Sequence, residues 1–163
     1  MQLVPREEDI GGTLDNNETL RNGIVNMDGS GIEVNGDIGT MLMPNVDAIF
    51  NNKSIGNYYY GLDNIGGTVN GHVKDNQFNK NGENGMDVSR IVGDITHNEF
   101  NENLATGLRV IEVTGNVSHN TFNGNDGGLF VSTIMTGDFT DNIVKNNGVT
   151  GAHFDDLVGN IHG

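Results

Sequence analysis

The stretch that decides the fold is GHVKDNQFNKN at residues 71–81, which returns three times at a fixed spacing. The copies are GDITHNEFNEN at 93–103, GNVSHNTFNGN at 115–125 and GDFTDNIVKNN at 137–147, and a further copy begins with GNIH at 159–162. Each copy starts 22 residues after the one before it. A constant period of this length is typical of repeat architectures, in which every copy is one structural unit.

The second half of each repeat predicts another strand. It begins Gly85-Met86-Asp87-Val88 in the first copy, where apolar and polar residues alternate with period two. The later copies read GLRV at 107–110, GLFV at 128–131 and GAHF at 151–154. In the third copy the glycine comes one residue early and an extra residue before Gly137 restores the period, which predicts a local bulge.

These short strands predict a coil whose successive turns stack, because no single strand pair could bury its apolar face alone. Each strand then pairs in parallel with its copy in the next turn. The period fits an all-β fold, a right-handed single-stranded parallel β-helix (solenoid) of about seven rungs and roughly 35 Å in length. The register predicts three inward columns, which are Val73, Ile95, Val117 and Phe139; Phe78, Phe100, Phe122 and Val144; and Val88, Val110, Val131 and Phe154, with Ile91, Val113 and Leu157 beside the third.

Asparagine and glycine are the most unusual part of the composition, with 26 Asn and 25 Gly in 163 residues. Asparagine recurs at two corners of the repeat, and we expect it to adopt the left-handed backbone there. Its side-chain amide would bond to the asparagines above and below, so that ladders satisfy buried polar groups along the rod. The two predicted ladders are Asn76, Asn98, Asn120 and Asn142, and Asn81, Asn103, Asn125 and Asn147.

The chain divides into three parts by the regularity of this pattern. Residues 1–22 are expected to be a flexible or capping segment, residues 23–70 irregular rungs with loops near 41–47 and 53–60, and residues 71–163 regular repeats. The sequence stops five residues into a fresh repeat, which favours a chain truncated from a longer β-helix. The alternative is an open end covered by another copy, and end-to-end self-association is therefore expected.

Charge and cysteine content restrict the partners. The net charge of −14 opposes binding to nucleic acid and to anionic membrane surfaces. With no cysteine, disulfides and thiolate metal sites are excluded. No apolar run approaches the roughly 20 residues of a spanning helix, so membrane association would need an anchor or barrel domain outside this sequence.

The repeat resembles that of the pectate-lyase-like proteins, which are right-handed parallel β-helices. The resemblance lies in the apolar-x-x-Asn-x-Phe corner followed by Asn-x-Asn and Gly-[Leu/Met]-x-Val, and it covers residues 71–163 well and 23–70 loosely. The tetrads FNKN at 78–81, FNEN at 100–103 and FNGN at 122–125 are similar to the F-x-x-N repeats of chlamydial polymorphic outer-membrane proteins. That likeness implies an autotransporter passenger at the bacterial outer-membrane surface or in the extracellular space.

One column of the repeat is a candidate metal site. Asp75, His97, His119 and Asp141 share one phase on consecutive turns, so the two imidazoles should lie roughly 5 Å apart, near enough to share a divalent ion. Ligands on stacked turns point the same way, however, whereas a tetrahedral site needs convergence. The plainer interpretation is a polar corner with stacked imidazoles beside the Asn ladder.

Other chemistry is less specific. Carboxylates such as Asp94, Asp126 and Asp138 would attract Ca²⁺, although solvated surface charge explains them as well. Glu112 and Asp156 share a phase about 9.6 Å apart, near the upper limit for an inverting glycosidase. Arg109 beside Asp87 is interpreted as a cross-strand ion pair.

The sequence thus leads to two functional hypotheses. The first is a non-enzymatic surface or secreted module, an adhesin or autotransporter passenger fragment that binds a host protein or glycan or associates with itself. The alternative is a fragment of a polysaccharide lyase or glycoside hydrolase. No catalytic residues or cofactor-binding residues are assigned.

Overall fold

The computed structural model describes residues 12–22, 29–40 and 46–163, and in this part of the chain all regular structure is β-strand. Each turn of the coil contributes one strand, or two short ones, to each of three sheets. Turn 1 holds β1 (Leu14–Asp15), β2 (Glu18–Leu20), β3 (Ile32–Glu33) and β4 (Ile38–Gly39); turn 2 holds β5 (Asp47–Phe50), β6 (Lys53–Ile55) and β7 (Leu62–Asn70); turn 3 holds β8 (His72–Lys74), β9 (Gln77–Asn79) and β10 (Met86–Val92).

The later turns keep the same order of strands. Turn 4 holds β11 (Ile95–Thr96), β12 (Glu99–Asn101) and β13 (Thr106–Thr114); turn 5 holds β14 (Val117–Ser118), β15 (Thr121–Asn123) and β16 (Gly127–Thr136); turn 6 holds β17 (Phe139–Thr140), β18 (Ile143–Lys145), β19 (Thr150–Phe154) and β20 (Leu157–Val158). Strand β21 (Ile161–His162) begins a further turn.

Three parallel sheets form the walls of the coil. Sheet 1 has the order β1-β5-β8-β11-β14-β17-β21, sheet 2 the order β2-β6-β9-β12-β15-β18, and sheet 3 the order β3-β7-β10-β13-β16-β19 with β4 and β20 at its margin. Every strand pair is parallel, which confirms the predicted β-solenoid. Its right-handed sense stays a prediction, supported by the strong preference of parallel crossovers for that hand.

The 22-residue register is confirmed in the regular part. In sheet 1, Ile95 pairs with Val73 on one side and with Val117 on the other. The earlier steps are longer, because Leu14 pairs with Ile49 and Ile49 with Val73. Since the smallest sheet has six strands, the described residues form fewer complete turns than the seven expected. The longer insertions of the first turns explain the difference.

The core contains the predicted inward columns, although their last members Val144 and Phe154 are only partly buried. It also contains a fully buried column that was not predicted, which is Leu62, Met86, Leu108 and Leu129. The rings of Phe78 and Phe100 stack with centroids 5.7 Å apart, and those of Phe100 and Phe122 at 5.1 Å. All three are fully buried, and each such side chain contributes on the order of 2 kcal/mol of hydrophobic stabilisation. The valine column Val88, Val110 and Val131 is likewise buried and in register.

Glycine at the start of each sheet 3 strand allows neighbouring turns to approach closely. A Cβ built on Gly85 would lie 2.5 Å from the carbonyl oxygen of Gly107 and 2.8 Å from the side-chain Nδ2 of Asn103. No side chain fits in that space. The Gly-[Leu/Met]-x-Val motif therefore reflects contact between turns as well as strand alternation.

The predicted bulge is present in sheet 3. The register of β13 and β16 shifts between Val110 and Glu112, because Val110 pairs with Val131 whereas Glu112 pairs with Ile134. A second shift separates β7 from β10, where Asn64 opposes Val88 and Thr68 opposes Arg90. Extra residues are accommodated at this place in the turn without loss of the core register.

Two asparagine ladders run along the corners that flank sheet 2, as predicted. The amide of Asn76 donates to Oδ1 of Asn98 at 2.8 Å, and its backbone N–H donates to the same oxygen at 3.0 Å. The Asn98 side chain also donates to the carbonyl oxygens of Val73 and Thr96. The same pattern joins Asn81 to Asn103.

The ladders extend through the irregular first turns, beyond the positions that the repeat predicts. Asn17 donates to Oδ1 of Asn52, which donates in turn to Oδ1 of Asn76. On the second corner, the N–H of Asn22 donates to Oδ1 of Asn57. The corner chemistry therefore persists where the 22-residue spacing is lost.

The expectation that the ladder asparagines adopt the left-handed backbone is wrong. Positive φ belongs to the residue immediately before each of them, such as Asp75 at 56° and Lys80 at 58°. That residue makes the sharp turn and leaves its side chain outside, so the following asparagine can direct its amide inward along the stack. The non-glycine members of the two corners are Asn16, Asn51, Asp75, His97, His119 and Asp141, and Arg21, Lys80, Glu102 and Asn146.

Two short strands fall within the predicted flexible or capping segment. Residues 14–20, within the predicted capping segment 1–22, already form β1 and β2 of the first turn. Residues 1–11 and most of the predicted loop at 41–47 lie outside the described residues. The described part of the chain has no helix with the length and apolarity needed to span a membrane.

Removing a buried ladder amide should be costly. We expect Asn98→Ala to lower the free energy of unfolding by about 3 kcal/mol, because the buried N–H of Asn76 and two carbonyl oxygens lose their partner. Urea unfolding checks this, with Asn35→Ala at an exposed position as the control, for which we expect a loss below about 1 kcal/mol. Equal losses in the two variants would contradict a structural role of the ladder.

Candidate functional site

The predicted metal column lies on the corner between sheets 1 and 2. The imidazole rings of His97 and His119 stack with centroids 5.1 Å apart and planes 10° apart. Nε2 of His119 is 4.0 Å from Oδ2 of Asp141, and Nζ of Lys74 is 3.6 Å from Oδ2 of Asp75. The structure therefore brings the four predicted side chains into one exposed row.

The geometry of this row favours the plainer interpretation. The nitrogen lone pairs of parallel stacked imidazoles lie in parallel planes and do not converge on one point, as a tetrahedral site requires. No group of three or more acidic, histidine or cysteine side chains is placed to hold a metal ion in the ranges 12–22, 29–40 and 46–163.

Backbone conformation explains the residue types in this row. Asp75, His97, His119 and Asp141 all have φ between 53° and 58°. Asn, Asp and His are the non-glycine residues most enriched in that region. The corner therefore selects these residue types without any ligand.

We expect His97→Val to lower the free energy of unfolding by about 1–2 kcal/mol, because a β-branched side chain is strained in the left-handed region. His97→Asn should leave stability nearly unchanged. Thermal unfolding with and without Zn²⁺ measures both effects. A Zn²⁺-dependent rise in Tm that both variants lose would instead support the metal site.

Two of the three carboxylates considered for Ca²⁺, Asp94 and Asp138, belong to a third ladder. Oδ1 of Asp94 accepts the N–H of Asn116, and Oδ1 of Asp138 accepts both the N–H and the side-chain amide of Asn160. The hydrogen bond from the backbone N–H of Asn160 lowers the pKa of the Asp138 carboxyl most, and the bond from the side-chain amide of Asn160 lowers it further. These oxygens are already used to join turns of the coil.

A row of polar and aromatic side chains crosses the outer face of sheet 3. Strand register places its members at one outward position on six neighbouring strands. We call this set the outer row, and it consists of Glu33, Asp63, Asp87, Arg109, Phe130 and His153. It changes from acidic to basic and then to aromatic along the rod, with the rings of Phe130 and His153 stacked at 4.9 Å.

The predicted ion pair between Arg109 and Asp87 is confirmed. The guanidinium nitrogen is 3.1 Å from Oδ1 and 3.3 Å from Oδ2 of Asp87, which is only 3% exposed. The amide of Asn84 donates to Oδ2 at 2.7 Å. Both carboxylate oxygens are therefore held, as a buried charge requires.

Glu112, one member of the acid pair considered for glycoside hydrolysis, also has a cation beside it. Its carboxylate is 3.1 Å from the guanidinium of Arg90 on the neighbouring strand. Asp156 is the other acid of that pair. Ile134 separates it from Glu112, because Ile134 pairs with Glu112 across β13 and β16. The arrangement is a second cross-strand ion pair.

The repeat pattern does not identify Asp63 as a member of the outer row. Asp63 lies in the irregular second turn, 24 residues before Asp87 rather than 22. Burial, followed by the neighbouring charge of Asp87, raises the pKa of the Asp63 carboxyl. Burial and the charges of Asp87 and Asp63 likewise raise the pKa of Tyr60. The available signal was Gly61-Leu62-Asp63, which repeats the Gly85-Met86-Asp87 pattern.

The raised pKa of Asp63 predicts a stability change with pH. The Asp63 carboxyl contributes stability in its protonated form. This contribution is fully present below the usual pKa of a carboxyl and is lost as pH rises through the raised pKa of Asp63. At pH 7 we therefore expect Asp63→Asn to stabilise the fold by about 0.5 kcal/mol, the scale of a screened like-charge pair on neighbouring strands. The gain should vanish near about pH 3.

Urea unfolding at several pH values, with Asp126→Asn at an exposed corner as control, measures this difference. A gain for Asp63→Asn that is the same at low and neutral pH would show that the carboxylate charge is not its origin.

A cleft of about 720 Å³ lies where the chain passes from sheet 2 to sheet 3. We call it the tyrosine cleft. Its lining combines two aromatic rings, two cations and two acids, and it includes Arg21, Tyr58, Tyr59, Lys80, Glu83, Glu102 and Leu104.

Close contacts between side chains and between turns shape the cleft. The rings of Tyr58 and Tyr59 meet edge to face with centroids 4.9 Å apart. A Cβ on Gly82 would collide with the carbonyl oxygen of Tyr58, so only glycine permits this close approach of the two turns. The ammonium of Lys80 is 3.7 Å from the carboxylate of Glu102, and both side chains are exposed.

Comparison of the chain with protein-family models, with curated proteins and with solved structures gave no match. The relationship to pectate-lyase-like and autotransporter proteins remains a resemblance in the repeat.

Proposed function

We propose that this chain is a non-enzymatic surface or secreted β-helix module that binds a glycan in its tyrosine cleft. The supporting observation is the lining of that cleft, where two tyrosine rings lie beside Arg21, Lys80, Glu83 and Glu102. Aromatic rings offer flat apolar faces to sugar rings, while charged groups and phenol hydroxyls bond to sugar hydroxyls.

The chemistry of the cleft favours a glycan over a strongly charged ligand. Two cations and two acids line the same space, so a polyanion or a polycation would meet repulsion on one side. A neutral or weakly charged oligosaccharide meets none. The cleft also crosses several turns of the rod, as binding of a chain of sugars would require.

The setting of the cleft suits an adhesin or autotransporter passenger. Ladders and parallel sheets hold the turns in one rigid stack, so corner loops vary without disturbing the core. The likeness of the repeat to polymorphic outer-membrane proteins supports a location at the bacterial outer-membrane surface or in the extracellular space. A host protein is the alternative ligand at such a location.

A carbohydrate-active enzyme is the second candidate, and the outer row favours it. Asp63 and Asp87 are register partners on neighbouring strands, and the pKa of Asp63 is raised. Two nearby carboxylates with different environments are the arrangement of a glycosidase acid and its partner. However, Asp87 is buried and held by Asn84 and Arg109, so it is poorly placed to attack a sugar.

Glycan-array binding tests the first candidate. We expect Tyr58→Ala and Tyr59→Ala each to weaken binding about tenfold or more, since a lost stacking partner costs roughly 1–2 kcal/mol. Phe130→Ala, an aromatic change in the outer row, should leave binding unchanged. The same loss in all three variants would show that the cleft is not the binding site.

Turnover separates the two candidates. The binding module predicts no release of reducing ends or unsaturated uronates from polysaccharides. Measurable turnover that Asp63→Asn abolishes, with Tyr58→Ala still active, would replace the binding module with the enzyme.

A further inference from the structure

A gap in one column of corner side chains gives the tyrosine cleft its shape. Tyr58, Gly82 and Leu104 each follow a ladder asparagine, so they occupy the same position on three successive turns. Gly82 has no side chain, and the space over it lies between the ring of Tyr58 and the side chain of Leu104, which is 77% exposed. The Cα atoms of these two residues are two strand spacings apart, about 9.6 Å. That distance leaves room for one sugar ring between the two side chains.

A second column, one residue further along the chain, places a carboxylate beside this gap. The N–H of Glu83 donates to the carbonyl oxygen of Tyr59 at 3.1 Å, and the N–H of Ala105 donates to that of Glu83 at 3.3 Å. Tyr59, Glu83 and Ala105 therefore share one position on three successive turns. The neighbours of Glu83 in this column are an aromatic ring and a methyl group, and neither is a cation.

The two acids of the cleft differ in their partners. The carboxylate of Glu102 lies 3.7 Å from the ammonium of Lys80. The carboxylate of Glu83 forms no ion pair with any residue in the ranges 12–22, 29–40 and 46–163. A cationic group of a ligand would supply the partner that Glu83 lacks in this part of the chain.

Positive and negative charges lie on opposite sides of the cleft. Arg21 and Lys80 each come directly before a ladder asparagine, on the side of sheet 2. Glu83 comes two residues after one, on the side of sheet 3. A cationic group is therefore favoured at the sheet 3 side, while hydroxyl and carbonyl oxygens of the same ligand suit the sheet 2 side.

The sheet 3 side is also electronegative beyond Glu83. Burial raises the pKa of Tyr60 most, and the carboxylates of Asp87, Asp63 and Glu83 raise it further, whereas Arg109 lowers it. Three negative charges and one positive charge therefore act on this ring, which follows the two tyrosines of the cleft in the chain. Tyrosine faces attract cations through the ring quadrupole, so aromatic and carboxylate groups favour the same kind of ligand here.

We propose that the glycan bound in the tyrosine cleft contains a sugar with a free amine, whose ring lies over Gly82 and whose ammonium pairs with the carboxylate of Glu83. This inference rests on the proposed function, because it names the class of sugar that the same cleft takes. N-acetylation removes the positive charge and leaves Glu83 covered without a partner, so the acetylated sugar binds more weakly. The net charge of −14 also attracts a ligand that carries an ammonium group.

Oligosaccharide pairs that differ in a single acetyl group test the preference. The probes are trisaccharides of N-acetylglucosamine and of N-acetylgalactosamine, each with and without the acetyl group of the central sugar. In at least one pair, we expect calorimetric titration to show about tenfold tighter binding of the free amine, the scale of one charge-assisted hydrogen bond. Raising the salt from about 50 mM to about 500 mM should reduce this ratio and leave binding of the acetylated form unchanged.

Two isosteric variants locate the preference. Glu83→Gln should bind both members of the pair with the affinity of the acetylated form, because the carboxylate charge is gone. Glu102→Gln is the matched control, since Glu102 lines the same cleft but pairs with Lys80, and it should keep the preference. Thermal unfolding of both variants verifies that each is folded.

The possible results separate this inference from the proposed function. Equal binding of both members of each pair, weakened by Tyr58→Ala, would overturn the preference for an amine and leave the glycan-binding module in place. A preference that Glu83→Gln retains would overturn the role of Glu83. If other glycans bind in the cleft and none of these probes does, the amino sugar is wrong. If no glycan binds at all, both proposals are wrong.

Discussion

The hydrogen bond from one corner asparagine to the next holds this structure in register. A coil that turns sharply three times in 22 residues buries backbone N–H and C=O groups that strand pairing cannot satisfy. The side chain of Asn98 bonds to one asparagine in the turn before, to another in the turn after, and to two backbone carbonyls. Because it does so fully buried, a shift by one residue would leave all these groups without partners.

The corners also explain why one row of side chains resembles a metal-binding site. His97 and His119 are aligned because each occupies the left-handed position before a ladder asparagine, and that position favours Asn, Asp and His. In a solenoid, any backbone requirement recurs every turn and stacks its residue type into a column. Aligned ligand-like side chains are therefore weaker evidence for a site here than in a globular fold.

The sequence predicted most of the fold and little of the candidate site, for related physical reasons. Core columns such as Phe78, Phe100 and Phe122 recur because packing and strand pairing repeat with the period. Asp63 and the tyrosine cleft lie where insertions alter the spacing, so the period contains no information about which residues they face. The left-handed corner was assigned one residue too late, since Asn tolerates that conformation but here uses its amide for the ladder.

Side-chain amide oxygens of the ladder protect the corner N–H groups of successive turns. Hydrogen exchange measured by NMR at the backbone N–H of Asn76, Asn98 and Asn120 tests this directly. Each donates to Oδ1 of the next ladder asparagine, so we predict exchange as slow as that of core strand residues. Rapid exchange at these three sites, with slow exchange in the strands, would contradict the ladder as the interaction that holds the turns in register.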